Sequence, residues 1–534
     1  MTGRLLAVAT AAVAVLYGRA WRFDLQCDDL AMIRPWSRAE LAGVWHGTWD
    51  PQHAFAVFFR PLAAWFFAGS FELFGVRAPA HLVLSLVLLT LVIFALALFV
   101  ARESGSVPLG ALTAVIYAAH PNTPWSTGVW VMNDVHKLAA LTTLSALLIW
   151  QRARRRSWSA WWPIALLITT GFLIKEDTLM LIPALLAAQW ARSRFVRDVA
   201  PPPRAAWLAA GAFGLALAGW RWSALHEIGG FGWPSSFEMA ARNLLRGPYY
   251  ALAGQGAAPA GFSLPALAAG AIALAVIGIT IARLPRHRQW PAIVAVILMA
   301  CFDAPLVLIS NMTRYYIVTM AGAIVLAVVT AGLWSAARAP IRRAALAAVF
   351  GVLLVVTGAR QQAILDDFAL CGRLTGACRS WTLEAIPQLP PEARAYVVNL
   401  PATCSAAAPH RLDDSAVLTW GLSGGSVVDT MTGHRAREAA AHIVTLVRAS
   451  ARSATLTVRH PLASMAAPVD VAITADDGDA SRLRLTSDQW VETTIALPTG
   501  WRAWLRGMHR ADVRVSAAGA PRAGLEWQAP TLRH

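Results

Sequence analysis

Two adjacent carboxylates, Asp28 and Asp29 in the stretch FDLQCDDLAMIRP, are the first residues of this chain whose type and spacing suit chemistry. A carboxylate so placed can take a proton from an attacking hydroxyl, or hold a divalent cation that neutralises a phosphate leaving group. A solvated or helix-capping pair is the plain alternative for a lone dipeptide. Further on, AHPNTPWSTGVWVMNDVHKLAAL gathers His120, Asn133, Asp134, His136 and Lys137 where two apolar segments end. LIKEDTLM sets Lys175, Glu176 and Asp177 between apolar segments with almost no loop, so these charges must dip toward a membrane or a water-filled cavity unless they close a mutually paired turn. NMTRYYIVT carries Arg314, Tyr315 and Tyr316, and an arginine's fork of donors suits phosphate oxygens as well as it suits an interfacial anchor. Arg60, in FFRPLAAW, is a further cavity candidate beside His120. Lys137 and Lys175 are the only two lysines, and both are expected in outer-face loops.

The elements that position these groups follow from composition. The 534 residues are 57% hydrophobic and 14% charged, which belongs in a bilayer. Apolar runs long enough to cross or nearly cross ~30 Å of hydrocarbon recur from Leu5 to Gly358. The expected spans lie near 4–20, 80–101, 107–120, 135–151, 160–174, 178–191, 205–222, 262–282, 291–310, 313–335 and 342–359, about eleven helices in all. Leu5–Tyr17 is read as a span and not a signal peptide, because no small-x-small cleavage site follows it.

The net charge of +16 is a statement about topology. Basic clusters at 152–156, 192–197, 283–288 and 338–343 fall in every second loop, as the positive-inside rule requires, and leave no case for a nucleic-acid partner. With Arg4 also inside, the N-terminus is cytoplasmic and everything after Gly358 is extracytoplasmic. The outer loop 22–79 is rich in tryptophan and holds PLAAWFFAGSFELFG, too short to cross and suited to the interface plane. The outer loop 222–261 suits a mobile cover over a substrate, or a passive connector. Asp303, inside a span, either borders the cavity or hydrogen-bonds a neighbouring helix.

From about 360 to 534 the pattern alternates in strand fashion in ARAYVVNLP, SAVLTWGL, SATLTVRH, VDVAITA, SRLRLTS, WVETTIALP and ADVRVSA, so a soluble β-rich domain is expected after a membrane domain over 1–359. Cys371 and Cys378 either form a small disulfide loop in an oxidising compartment or stay free thiols, and no metal-ligand spacing of cysteines is present.

Taken in order, FDLQCDDLAMI, FRPLAAWFF with ELFGVRAPAHLVLSLVL, HPNTPWSTGVWVMNDVHKLAAL, LIKEDTLMLIP and TRYYIVTMAG resemble the transmembrane tetratricopeptide-repeat O-mannosyltransferases and their bacterial relatives, polyprenyl-phosphate-sugar-dependent enzymes of the GT-C fold. The resemblance spans most of residues 20–335; the tetratricopeptide repeats are replaced by the β-rich segment, and Asn133 stands where an arginine is common. It implies a glycosyltransferase of the bacterial inner membrane. Such an enzyme moves a hexosyl or pentosyl unit from a polyprenyl-phosphate-linked donor to an extracytoplasmic glycan, lipid or protein. It places Asp28 and Asp29 at the catalytic centre and Asp134, His136, Lys137, Lys175, Glu176, Arg314 and Tyr315 at the donor phosphate. A divalent cation, if used, would fall to Asp28, Asp29 and Asp134. A lipid-linked sugar transporter or flippase and a non-catalytic sugar-binding subunit are the competing readings. Against a transporter, the charges collect at outer helix ends and not at the midplane of inverted repeats.

Overall fold

The computed structural model describes residues 1–25, 29–33, 36, 38–49, 58–75, 77–153, 161–195, 201–226, 275, 277–307 and 316–385, together with strands and short turns between 394 and 533. The chain divides into two compact units. The first holds Met1–Phe23, Trp36–Gly69 and Arg77–Asp367.

Its longer helices among the described residues are α1 (Thr2–Tyr17), α2 (Pro61–Phe74, which runs past Gly69), α3 (Ala78–Ser104), α4 (Val107–Ala119), α5 (Asp134–Ala153), α6 (Trp161–Ile174), α7 (Leu181–Phe195), α8 (Arg204–Leu225), α9 (Arg286–Val307), α10 (Tyr316–Ala336) and α11 (Pro340–Ala385, which runs past Asp367). Among the described residues, α3, α10 and the Pro340–Asp366 part of α11 are long and apolar enough to cross a membrane, and α1, α2, α4, α6 and Gln289–Ala304 are shorter apolar helices. The chain is a membrane protein. The expected spans at 80–101 and 313–335 correspond to α3 and α10, while most of 222–261 and part of 262–282 lie outside the described residues.

Local chemistry sets the ends of these helices. Pro79 sits in the first turn of α3, where its missing N–H costs nothing, and Gly105 closes that helix with φ +66, a left-handed cap that strains any residue with a Cβ. The Ser106 hydroxyl then accepts from Leu109 N at 3.3 Å and starts α4. The tyrosine ending α1 donates its hydroxyl to Ala118 O at 3.0 Å, and Arg19 meets Asp366 at 2.7 Å, so α1 is tied to both α4 and α11. A Cβ on Gly171 would stand 2.5 Å from Thr178 Cγ2 and 2.7 Å from Thr142 Oγ1. That glycine lets α6 close on α5 and on the turn that follows it.

One expectation changes. The helix expected to end at 359 continues to Ala385 because RQQAILDDFALCGRL holds no proline; loss of apolar character is not loss of helix. The same helix runs through Cys371 and Cys378, whose side chains lie outside the described residues.

The second unit comprises Asp24–Pro35, Ser70–Val76 and Phe368–His534. It carries a seven-stranded sheet in the order β2-β3-β1-β5-β10-β7-β8 and a four-stranded sheet in the order β4-β11-β6-β9. The strands are β1 (Arg394–Val397), β2 (Val417–Leu422), β3 (Gly425–Asp429), β4 (Ala436–Arg437), β5 (His442–Arg448), β6 (Ser453–Arg459), β7 (Val469–Ala475), β8 (Ser481–Leu485), β9 (Val491–Ala496), β10 (Met508–Ser516) and β11 (Glu526–Arg533). The larger sheet is mixed: β1 runs parallel to β3 and β5, whereas β10 is antiparallel to β5 and β7. Val469 and Val471, two apart on β7, are buried with Leu485 and Ile495, the period of two that a half-covered sheet demands.

Candidate active site

Within the first unit, polar groups gather on the 3-10 turn Glu176–Met180 that joins α6 to α7, and on the segments packed around it. Glu176 Oε1 accepts from Phe59 N at 2.7 Å and Oε2 from Arg60 Nε at 3.0 Å, while Arg221 Nε, at the end of α8, stands 3.8 Å from Oε1. One carboxylate thus fixes the backbone before α2 and faces two guanidinium groups. The Arg60 guanidinium lies over the rings of Phe58 (3.8 Å) and Trp49 (4.9 Å), an aromatic bed that holds a cation without neutralising it. Phe59 also meets Trp220 edge-on at 5.6 Å, and Trp220 stacks with Trp45 at 6.1 Å.

On either side of Glu176 the neighbours pair with each other. Lys175 Nζ donates to Asp177 Oδ2 at 2.5 Å, and the other oxygen of Asp177 accepts from the Tyr316 hydroxyl at 3.3 Å. The Tyr316 ring lies 5.6 Å from the Lys175 ammonium and stacks with His136 at 5.8 Å. Burial pushes the Lys175 ammonium below the ordinary lysine range, an effect that Asp177 opposes and nearby Arg60 reinforces. Burial alone would raise the Glu176 carboxyl, yet Arg60, Arg221 and the backbone donors together hold it below the usual carboxylate range. Arg60, Lys175 and Arg221 thus converge on the carboxylates of Glu176 and Asp177 at a largely buried site.

A third group joins α3 to the first turn of α5. Asp134 Oδ1 accepts from Ser85 Oγ at 2.7 Å and from Lys137 Nζ at 2.6 Å, and Lys137 also donates to Ser85. Lys137 is fully buried on α5, not in a loop, because the helix begins at Asp134 and its first turn faces α3. Its ammonium is occupied by that pair. His120 is buried too, its Nδ1 accepting from Asn122 N at 3.1 Å, and Asn122 in turn donates to Thr319 at 2.6 Å.

The structure thus brings Arg60, Lys175, Glu176 and His136 together with Asp177 and Tyr316 of the same motifs, and adds Arg221, which the sequence reading passed over. Arg221 carried a signal: an arginine at the outer end of an expected span runs against the positive-inside rule and needs a local reason. Asp29 is buried and opens the four-residue helix Asp29–Met32, which belongs to the second unit. Asp28, Arg314 and Tyr315 lie outside the described residues. Among the described residues no three His, Cys, Asp or Glu side chains gather to hold a metal ion, and Asp134 is already engaged by Lys137 and Ser85.

Residues 53–222 match the dolichyl-phosphate-mannose-protein mannosyltransferase family. That segment holds Arg60, Ser85, Asp134, His136, Lys137, Lys175, Glu176, Asp177 and Arg221, so all of the cluster but Tyr316 lies inside the mannosyltransferase match. Three of the five motifs, from FRPLAAWFF to LIKEDTLMLIP, fall within that segment. Among solved structures, the chain is similar to ArnT from Cupriavidus metallidurans bound to undecaprenyl phosphate, with 16% identity, 83% of this chain and 93% of that chain covered, and a TM-score of 0.42. The apo state of the same ArnT gives 15% identity, the same coverage and a TM-score of 0.37. The arabinosyltransferase EmbB from Mycobacterium smegmatis gives 13% identity, 99% and 64% coverage and a TM-score of 0.30. No curated protein sequence matches the chain significantly.

Proposed function

We propose that this chain is a membrane glycosyltransferase that moves a sugar from a polyprenyl-phosphate-linked donor to an acceptor hydroxyl on the extracytoplasmic face of a bacterial inner membrane. The observation that carries the reading is the convergence of Arg60, Lys175 and Arg221 on the Lys175-Glu176-Asp177 turn, set on aromatic rings inside the segment that matches the mannosyltransferase family. Cations held at low exposure are suited to the negative charge that grows on a phosphate as it leaves. A bundle of about eleven spans, with the N-terminus cytoplasmic and the C-terminal part outside, would present that turn to the donor.

In the reaction the acceptor oxygen forms a bond to the anomeric carbon while the bond from that carbon to the phosphate oxygen breaks. The electron pair of the broken bond stays on the lipid phosphate, where Arg60, Lys175 and Arg221 stabilise it. The proton of the acceptor passes to a carboxylate of the Asp28–Asp29 pair, acting as general base. Glu176 orients the two guanidinium groups and takes no proton, in keeping with its depressed pKa. Arg314 and Tyr315 join the phosphate side in this reading.

The test is transfer by the purified chain in liposomes containing a radiolabelled polyprenyl-phosphate sugar. Asp28→Asn and Asp29→Asn, made separately, are expected to include at least one loss of turnover of about a hundredfold or more. Full activity in both variants would remove the base from this pair.

A further inference from the structure

Two lysines in a chain of this size are few enough that what each one touches can be read individually. Lys137 is locked between Asp134 and Ser85. Lys175 has a different arrangement: one carboxylate two residues away, an aromatic ring beneath, and a surface exposure of 6%. A lysine at that depth is easily discharged, because an ammonium loses hydration on burial and the neutral amine does not. Arg60 is close enough to add to that tendency. A neutral amine would bring no charge to a departing phosphate.

We propose that Asp177 is a positioning residue for the transfer: its carboxylate holds the Lys175 ammonium in place and charged for the donor phosphate. Asp177 is itself held from the far side by the Tyr316 hydroxyl, and Tyr316 is braced by His136 of α5. The geometry is a short relay in which Oδ1 faces α10 and Oδ2 faces the lysine, so the carboxylate cannot turn away from Nζ without giving up its other partner. Glu176 cannot take the same part, since both of its oxygens are directed to Phe59 N, Arg60 and Arg221. Among the described residues, the charged and titratable groups around Lys175 include Glu176 and Asp177 on its own turn, Arg60 before α2, Tyr316 on α10 with His136 behind it, and Arg221 on α8 through Glu176. Helix α9, which also packs on the turn, carries Asp303. The inference rests on the reading of this turn as the lipid-phosphate site.

The chain's lysine content makes a direct test possible. Protein labelled with 13C at lysine Cε gives two side-chain resonances, and loss of one in Lys175→Arg assigns it. Asp177→Asn is expected to move the Lys175 titration to lower pH by about one unit or more, with the Lys137 resonance unmoved as proof of an intact fold. The alkaline limb of sugar transfer should move in the same direction, and Asp177→Glu should return both toward the parent. An unmoved Lys175 titration in Asp177→Asn overturns the proposal. A moved titration with an unmoved alkaline limb overturns its role in transfer. If the parent chain transfers no sugar at all, the lipid-phosphate reading fails by itself, and the titration alone still decides whether Asp177 keeps Lys175 charged.

Discussion

Both ends of α3 reach a buried ion pair, and the two pairs are built differently. Ser85, near the start of α3, belongs to the Asp134–Lys137 group, whereas Glu103, eighteen residues and about 27 Å further along, stands 3.5 Å from Arg192 of α7. Arg192 is flanked by the rings of Trp150 at 6.0 Å and Trp290 at 5.5 Å and joins α7 to the end of α3. At the Lys175-Glu176-Asp177 turn Arg60, Lys175 and Arg221 all converge on one short loop. A charge taken out of water needs a partner at both places, but only the turn gathers several donors on one loop in the way that suits a phosphate.

The largest effect that separates the two ends is on turnover. Arg60→Ala should lower donor-dependent transfer about a hundredfold, the value of a charge-assisted contact to a developing phosphate charge, while Arg192→Ala should leave the transfer rate of folded protein within about threefold. Equal losses in both, measured in liposomes and normalised to folded protein, would erase the distinction. Next in size is stability. Lys137→Met leaves Asp134 fully buried without its cation and should cost about 3–5 kcal/mol, read as a fall in thermal unfolding temperature. The double variant Asp134→Asn with Lys137→Met should recover most of that. If the double variant is stable and still transfers sugar, Lys137 serves the helix contact and not the phosphate.

Arg192→Ala should cost about 1–3 kcal/mol in the same assay, less than Lys137→Met because Arg192 sits further from its partner and is part-exposed. The smallest effect is on acid stability. The folded Glu176 carboxyl lies below its unfolded value, so its contribution is present above the ordinary carboxylate pKa of about 4.3 and is lost only as pH falls through the lower folded value. Cooling from nothing but a pH change from 7 to 5 should therefore not appear: unfolding temperature should be flat across that window in the parent relative to Glu176→Gln.

Much of the membrane unit was legible because the physics that forms it is local. Apolar length located α3 and α10, and polar residues at the ends of apolar runs singled out Arg60, His136, Lys175 and Glu176. Partner choice was not legible. Nothing in LIKEDTLM says that Lys175 pairs two residues on while Glu176 reaches 116 residues back to Arg60, since both depend on the tight turn after Gly171 and on how α8 and α10 pack. Lys137 was misplaced in a loop because a buried ammonium within a helix looks improbable until Asp134 and Ser85 are seen beside it. Alternation marks strands such as β7 and β9 but does not give their order, so the parallel pairing of β1 with β3 and β5 required the structure.

The most direct test is a structure of the chain with a polyprenyl phosphate in lipid nanodiscs. A phosphate within hydrogen-bonding distance, about 3 Å, of Arg60 and Lys175 is the predicted result. A phosphate seated instead beside Arg192 and Glu103, or anywhere out of reach of the 175–177 turn, would contradict the assignment of that turn as the donor site.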